Sequence, residues 1–351
     1  MNVNVIKKRY DSLDAVRAFA AIGIVMMHVL GHVPLKTSQN FITTSLIPFF
    51  CDFVMLFMIV SAFSLSCGYY EKFKSGNISM NDFYKKRYIR ILPFFAFLCV
   101  VDLLVSPSIS SLYELFANIT LCFGFLPNYG SITVIGVGWF LGIIFVFYML
   151  YPFFVFLMDN KKRAWISFCV STLLAIIALT YFESDKYGNV PIDRHNILVV
   201  APFFLSGGLC YLYKESITKF VCSQKVISGI IVSVISLMFF VFPLYKDGKV
   251  ELLLTEVVLF SSWIVWTIGT TNKLLVNKVT KYLSSISMEI YLSHMMIYRA
   301  VEMVHIERYV KNGNMLYIII VILVMGGAIC FAHIMKFYIL KKITSKLSSF
   351  K

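Results

Sequence analysis

The sequence predicts an all-α, polytopic integral membrane protein with about ten transmembrane helices. Of its 351 residues, 59% are hydrophobic and only 14% charged, and mean hydropathy is +0.80. A soluble domain of this size needs a far more polar surface. Apolar runs of about 20 residues, the length that carries an α-helix across a bilayer core, recur along the whole chain. The alternation in segments of about ten residues that marks a transmembrane β-barrel is absent.

The expected spans are 12–33, 43–69, 88–106, 134–158, 164–182, 196–213, 224–244, 250–271, 283–304 and 314–340. Each is an apolar run bounded by charged or turn-forming residues. The first carries "RAFAAIGIVMMH" and the second "VMLFMIVSAF". The third is entered through the basic "FYKKRYIRILPFF". A short apolar piece near 112–126 follows and reads as re-entrant or interfacial; the alternative is an eleventh span. The fourth carries "GWFLGIIFVFYMLYPFF", the sixth "FFLSGGLCYLY" and the ninth "YLSSISMEIYLSH". The whole of 1–351 reads as one transmembrane domain with no attached soluble domain. The amino terminus has no small-residue cleavage pattern, so the first span is expected to be retained.

Lysine and arginine orient the spans. With ten spans and a cytoplasmic amino terminus, the inner segments, counted with the tail from Lys336, hold about 23 of the 32 Lys and Arg, and the outer segments about seven. An eleventh span would spoil that division. Both termini are therefore expected in the cytosol. The net charge of +14 reads as a topological signal with some attraction to anionic membrane lipid, not as a nucleic-acid surface. The eight cysteines are scattered singly with no CxxC pair, which indicates neither a metal knuckle nor a redox motif.

Several polar residues sit at apolar depth, where each costs a few kcal/mol unless it faces a cavity or a partner. Arg17 and His28 are eleven residues apart. On a helix they fall on one stripe, about 20° off register and about 16 Å apart. Arg87 and Arg90 are i and i+3 at the start of the third span and can share a face, and arginine pairs suit phosphate groups. Ser61 lies beside the small Ala62 in the second span. Ser287, Tyr291 and His294 follow one face of the ninth, and Glu289 lies elsewhere on that helix. A carboxylate at that depth requires a partner or a proton. His28 and His32 have the i, i+4 spacing of zinc ligands. No third ligand is evident, so no metal is assigned.

Taken in order, these motifs resemble those of the membrane-bound acyltransferase family 3. The family has a first-span Arg-x10-His, here Arg17 and His28, and an "FFxxSGF"-like second span, here "LFMIVSAF". A basic "RxxRIxP" entry to the third span matches "RYIRILP", a "WFL" with a later "YxxYP" matches "WFLGIIFVFYMLYP", and "ISxxIYLxH" matches "ISMEIYLSH". Ala62 stands where the family usually has glycine, and Met288 replaces a common tyrosine.

The resemblance implies an O-acyltransferase of the bacterial cytoplasmic membrane. It would move an acyl group, by default acetyl, from cytosolic acetyl-CoA to a hydroxyl of an envelope glycan or its lipid-linked precursor, with no bound cofactor. Arg17 and His28 are the residues it best supports. His28 is expected to act as general base, with a covalent acyl carrier as the alternative. Arg87 and Arg90 are expected at the CoA phosphates, and Ser61, Tyr291, His294 and Glu289 near the acceptor or the oxyanion. The rival reading is a transporter or flippase of a polar or anionic solute, in which the intramembrane Arg, His and Glu line a pathway.

Overall fold

The computed structural model describes residues 10–126, 132–181, 192–242, 248–270 and 272–342. The basic residues Lys7, Lys8 and Arg9 and the end of the tail, which entered the orientation argument, lie outside the described residues. Among the described residues every regular element is helical and there is no strand. In chain order the helices are α1 (Ser12–His32), α2 (Phe53–Lys74), α3 (Met80–Val105), α4 (Ile109–Ile119), α5 (Trp139–Met149), α6 (Tyr151–Met158) and α7 (Lys161–Tyr181). They continue as α8 (Ile197–Leu212), α9 (Lys214–Ser223), α10 (Lys225–Val241), α11 (Lys249–Gly269), α12 (Lys278–Ser285), α13 (Ser287–Glu302) and α14 (Gly313–Ile334). Short helical turns lead from Ile42 into α2, and a π-type turn, Met335–Leu340, extends α14.

Among the described residues all ten expected segments are mainly helical, but they are not ten equal crossings. Six helices among the described residues are long and apolar enough to cross a membrane, or eight if each of two bent pairs counts as one span. The fourth expected span is such a pair, broken at Leu150, where Pro152 in the first turn of α6 suits a helix start. The sixth is the other: α8 and α9 meet at 71°. The seventh and ninth fall short. α10 has 17 residues and α13 has 16, about 24–26 Å at 1.5 Å per residue against a core of about 30 Å. The eleventh span is not formed. α4 has 11 residues, about 16 Å, and lays Ile109, Leu112, Tyr113 and Phe116 along one exposed face. The chain then reverses through Leu121, whose φ is 58°, into a tight turn at Cys122–Phe125.

The residues divide into two compact units. One comprises Met1–Ala15, Met55–Met80 and Met149–Lys281; the other comprises Val16–Val54, Asn81–Tyr148 and Tyr282–Lys351. In the first unit α8 packs along α7, and α11 packs against α9 and α10. Small residues permit the close approaches. A Cβ on Gly207 would run into the Ile59 carbonyl and the Ala62 methyl. Alanine at 62 is therefore accommodated because its neighbour across the helix contact is a glycine. Side-chain bonds close this unit: Trp263 Nε1 donates to Ser236 Oγ at 2.9 Å, and Ser12 Oγ donates to the Thr267 carbonyl at 2.6 Å.

The second unit has a core of Val25, Val29, Ile290, Leu316, Ile320 and Val324, contributed by α1, α13 and α14. These β-branched and leucine side chains recur at helical spacing on each element. Gly23 on α1 lets the Phe53 ring lie against the backbone, where a Cβ would meet it at 2.7 Å. The turn after α4 docks in the same way: Gly124 lies on the backbone of Gly142, and the Phe123 ring lies over Gly142. This contact explains the second glycine of "GWFLG".

A methyl group at Gly124 has only backbone to displace, so Gly124→Ala should cost about 1–3 kcal/mol and lower the thermal midpoint of the purified protein in detergent. Gly326 has nothing within 4 Å of an added Cβ, and Gly326→Ala should leave the midpoint unchanged or raise it slightly. Equal midpoints for both variants would show that the docked turn is not packed as described.

Candidate active site

α1 is unbroken from Ser12 to His32, so Arg17 and His28 do occupy one stripe of one helix. The second unit holds that helix at a defined height by tyrosine hydroxyls that donate to its carbonyls. Tyr317 on α14 bonds the Met26 carbonyl at 3.2 Å, and Tyr298 on α13 bonds the His32 carbonyl at 2.6 Å. Each phenol in an apolar interior needs such an acceptor.

Between those two anchors His28 meets His294. Their rings are 4.9 Å apart, centroid to centroid, and His294 Nε2 lies 3.2 Å from His28 Nδ1. The carbonyls nearby assign the protons. His28 Nδ1 is 3.0 Å from the Ile24 carbonyl, and His294 Nδ1 is 2.6 Å from the Tyr291 carbonyl. A carbonyl only accepts, so both Nδ1 atoms carry hydrogen. His294 Nε2 then shares the one His28 Nδ1–H with the Ile24 carbonyl as a second acceptor, and the basic lone pair of His28 is on Nε2. His28 is half-buried and His294 is fully buried. The arrangement is a base with a fixed tautomer, backed by a second imidazole.

Tyr291 does not offer its proton to a reacting group. Its hydroxyl donates to the Val137 carbonyl at 2.6 Å and its ring meets Phe140 edge-on at 6.1 Å. The bond ties α13 to the turn that opens the "WFL" segment. Ser287, grouped with Tyr291 and His294 on one face, donates instead to the Ser284 carbonyl at 2.9 Å and closes a turn. Glu289 has its partner in Lys336, with Nζ 3.2 Å from Oε1. Ser61 lies on α2 in the other unit and is half-buried.

Arg87 and Arg90 have different surroundings. The Arg87 guanidinium lies over the rings of Phe83 and Tyr148, at 5.9 and 5.8 Å from their centroids, and is held by them. Arg90 is exposed and makes no hydrogen bond or ion pair among the described residues. It presents a planar fork of donors one turn before Phe94, whose ring meets Phe331 of α14 at 6.1 Å.

The other histidines have ordinary partners. His32 bonds the His28 carbonyl at 2.8 Å, His195 pairs with Asp193, His305 with Glu307, and His333 with the Tyr282 hydroxyl at 2.9 Å. Among the described residues no group of three or more metal-binding side chains is placed to hold an ion. Two contributors escaped the sequence reading. Lys336 was counted with the basic tail, although the apolar helix continues to Leu340 around it. Tyr298 carries a signal after the fact: it repeats Tyr291 at i+7, which keeps both on one face of α13.

The family model described as an acyltransferase domain matches residues 10–333. No curated relative and no solved structure matches the chain. The match spans nearly the whole protein and takes in Arg17, His28, Arg87, Arg90 and the α13 motif in order. The chain belongs to the acyltransferase-3 family and is a membrane acyltransferase.

Proposed function

We propose that the protein is an O-acetyltransferase that moves an acetyl group from acetyl-CoA to a hydroxyl of a cell-envelope polysaccharide or of its lipid-linked precursor. The observation that carries this reading is the His28–His294 pair, which puts a lone pair on His28 Nε2 and a proton acceptor behind Nδ1. A sugar hydroxyl is a poor nucleophile until its proton is taken, and an imidazole is the side chain suited to take it.

In this scheme His28 Nε2 accepts the hydroxyl proton as the oxygen attacks the thioester carbonyl. The carbon–sulfur bond breaks, and the same proton passes to the departing sulfur, leaving an ester and free CoA. As His28 becomes cationic, its Nδ1–H bond to His294 strengthens. His294 is thus a positioning residue and Tyr291 positions His294. The donor enters from the cytosol, with Arg90, Arg87 and Arg17 near the inner face to meet its phosphates. The thin pantetheine arm spans the distance of about 16 Å along the α1 stripe. Ser61 remains a candidate for the acceptor or the oxyanion. The protein sits in the bacterial cytoplasmic membrane with both termini in the cytosol, and no bound cofactor enters the reaction.

The test uses purified protein in liposomes with labelled acetyl-CoA and an envelope-glycan extract, following label into base-labile ester. Wild type should transfer label. His28→Ala should lose about 10²–10⁴-fold in kcat while still binding CoA, and equal labelling by the two proteins would remove His28 from the chemistry. Arg90→Ala should raise KM for acetyl-CoA about tenfold with little change in kcat, the loss of one charge-assisted phosphate contact. His294→Ala should lower kcat by about 10–100-fold at unchanged KM for acetyl-CoA and displace the acid limb of the pH–rate profile. An unmoved limb would make His294 a packing residue only.

A further inference from the structure

Glu289 on α13 is 4% exposed and would be costly there alone. Lys336 reaches it from the π-type turn Met335–Leu340, a local widening of the helix often found at functional positions. A lysine near the end of an apolar helix ordinarily extends toward the membrane surface. This one turns inward. Its ammonium is 3.2 Å from Glu289 Oε1 and also donates to the Ser285 carbonyl, which is exposed by the break between α12 and α13. Tyr282 and His333, bonded at 2.9 Å, clamp the same two elements together one turn away.

The ammonium has three N–H donors. Glu289 and Ser285 take two of them, and no further partner of Lys336 exists among the described residues. The Phe94 ring of α3 and the Phe331 ring of α14 meet at 6.1 Å, which sets the two helices together about one turn from both Arg90 and Lys336, and none of the Arg90 donors is engaged among the described residues. Two cations and one carboxylate thus share this end of the unit. That leaves one net positive charge, a planar donor fork and a spare ammonium N–H at one place. An oxyanion with several acceptor oxygens satisfies all three at once, and a carboxylate-bound lysine is already ordered to receive it.

We infer that Arg90 and Lys336 form one phosphate-binding site, with Glu289 as the positioning residue that holds the Lys336 ammonium toward Arg90. The inference rests on the donor reading of Arg90 and extends it to a cation and a carboxylate from two other helices. The phosphate has two possible sources, the nucleotide part of the acyl donor and the headgroup of an anionic lipid.

The experiment uses the full chain in nanodiscs of neutral phosphatidylcholine, with and without phosphatidylglycerol, and reads the Kd for coenzyme A and for pantetheine, which has no phosphate. Lys336→Met leaves Glu289 unpaired and can fail to fold, so the deciding variant is Glu289→Gln with Lys336→Met, which removes both charges of the pair. In neutral nanodiscs the double variant should bind coenzyme A about 10–100-fold more weakly, the loss of one charge-assisted contact, with pantetheine binding unchanged. Lys336→Arg should restore most of the loss. If coenzyme A binding is unchanged but stabilisation by phosphatidylglycerol is lost, the site stands with a lipid headgroup as its ligand. Unchanged responses to both coenzyme A and phosphatidylglycerol overturn it. Absence of coenzyme A binding by wild type would instead remove the donor reading, leaving the lipid comparison to decide the site.

Discussion

Polar groups inside apolar helices have no water to turn to, and each must be satisfied by the protein itself. In the second unit this constraint sets the heights of the helices. Tyr298 and Tyr317 spend their hydroxyl protons on carbonyls of α1, and Tyr291 spends its own on the Val137 carbonyl. Each bond is worth only about 1 kcal/mol, but each joins a hydroxyl to a carbonyl on another element, so together they specify register. The His28–His294 contact exists at 3.2 Å because these bonds stop α1 and α13 from sliding past each other.

The same constraint separates residues that build from residues that react. Ser287 and Tyr291 share a helix face with His294, yet both commit their protons to backbone carbonyls. Arg87 is held between two aromatic faces while Arg90 stays exposed. His28 is the one histidine of the second unit that is both half-buried and backed by a second imidazole. The balance of burial and access found at His28 and Arg90 is what a group needs to meet a substrate, and the fully buried partners behind them supply orientation.

Glycine plays the complementary part. Close packing at Gly207 on Ile59 and at Gly124 on Gly142 requires no polar chemistry, only the missing Cβ. These contacts bring backbones near enough for dispersion forces to act, which lipid-exposed helices need because burial from lipid supplies no hydrophobic driving force. The alanine at position 62, a departure from the family pattern, is absorbed by such a glycine.

Fold class, the positions of the helices and the placing of Arg17 and His28 on one stripe were all legible in the sequence, because hydropathy and the 3.6-residue period are local properties. The family was legible from the order of its motifs. Three things were not. The lengths at which α10 and α13 stop depend on turns and bonds to distant residues. The partner of Glu289 lies 47 positions along the chain, in a lysine that local reading assigned to a basic tail. The role of Tyr291 as an anchor follows from where the Val137 carbonyl arrives. Hydrogen-bond partners of buried polar groups are chosen by the packing of helices remote in sequence, and only the tertiary structure decides them.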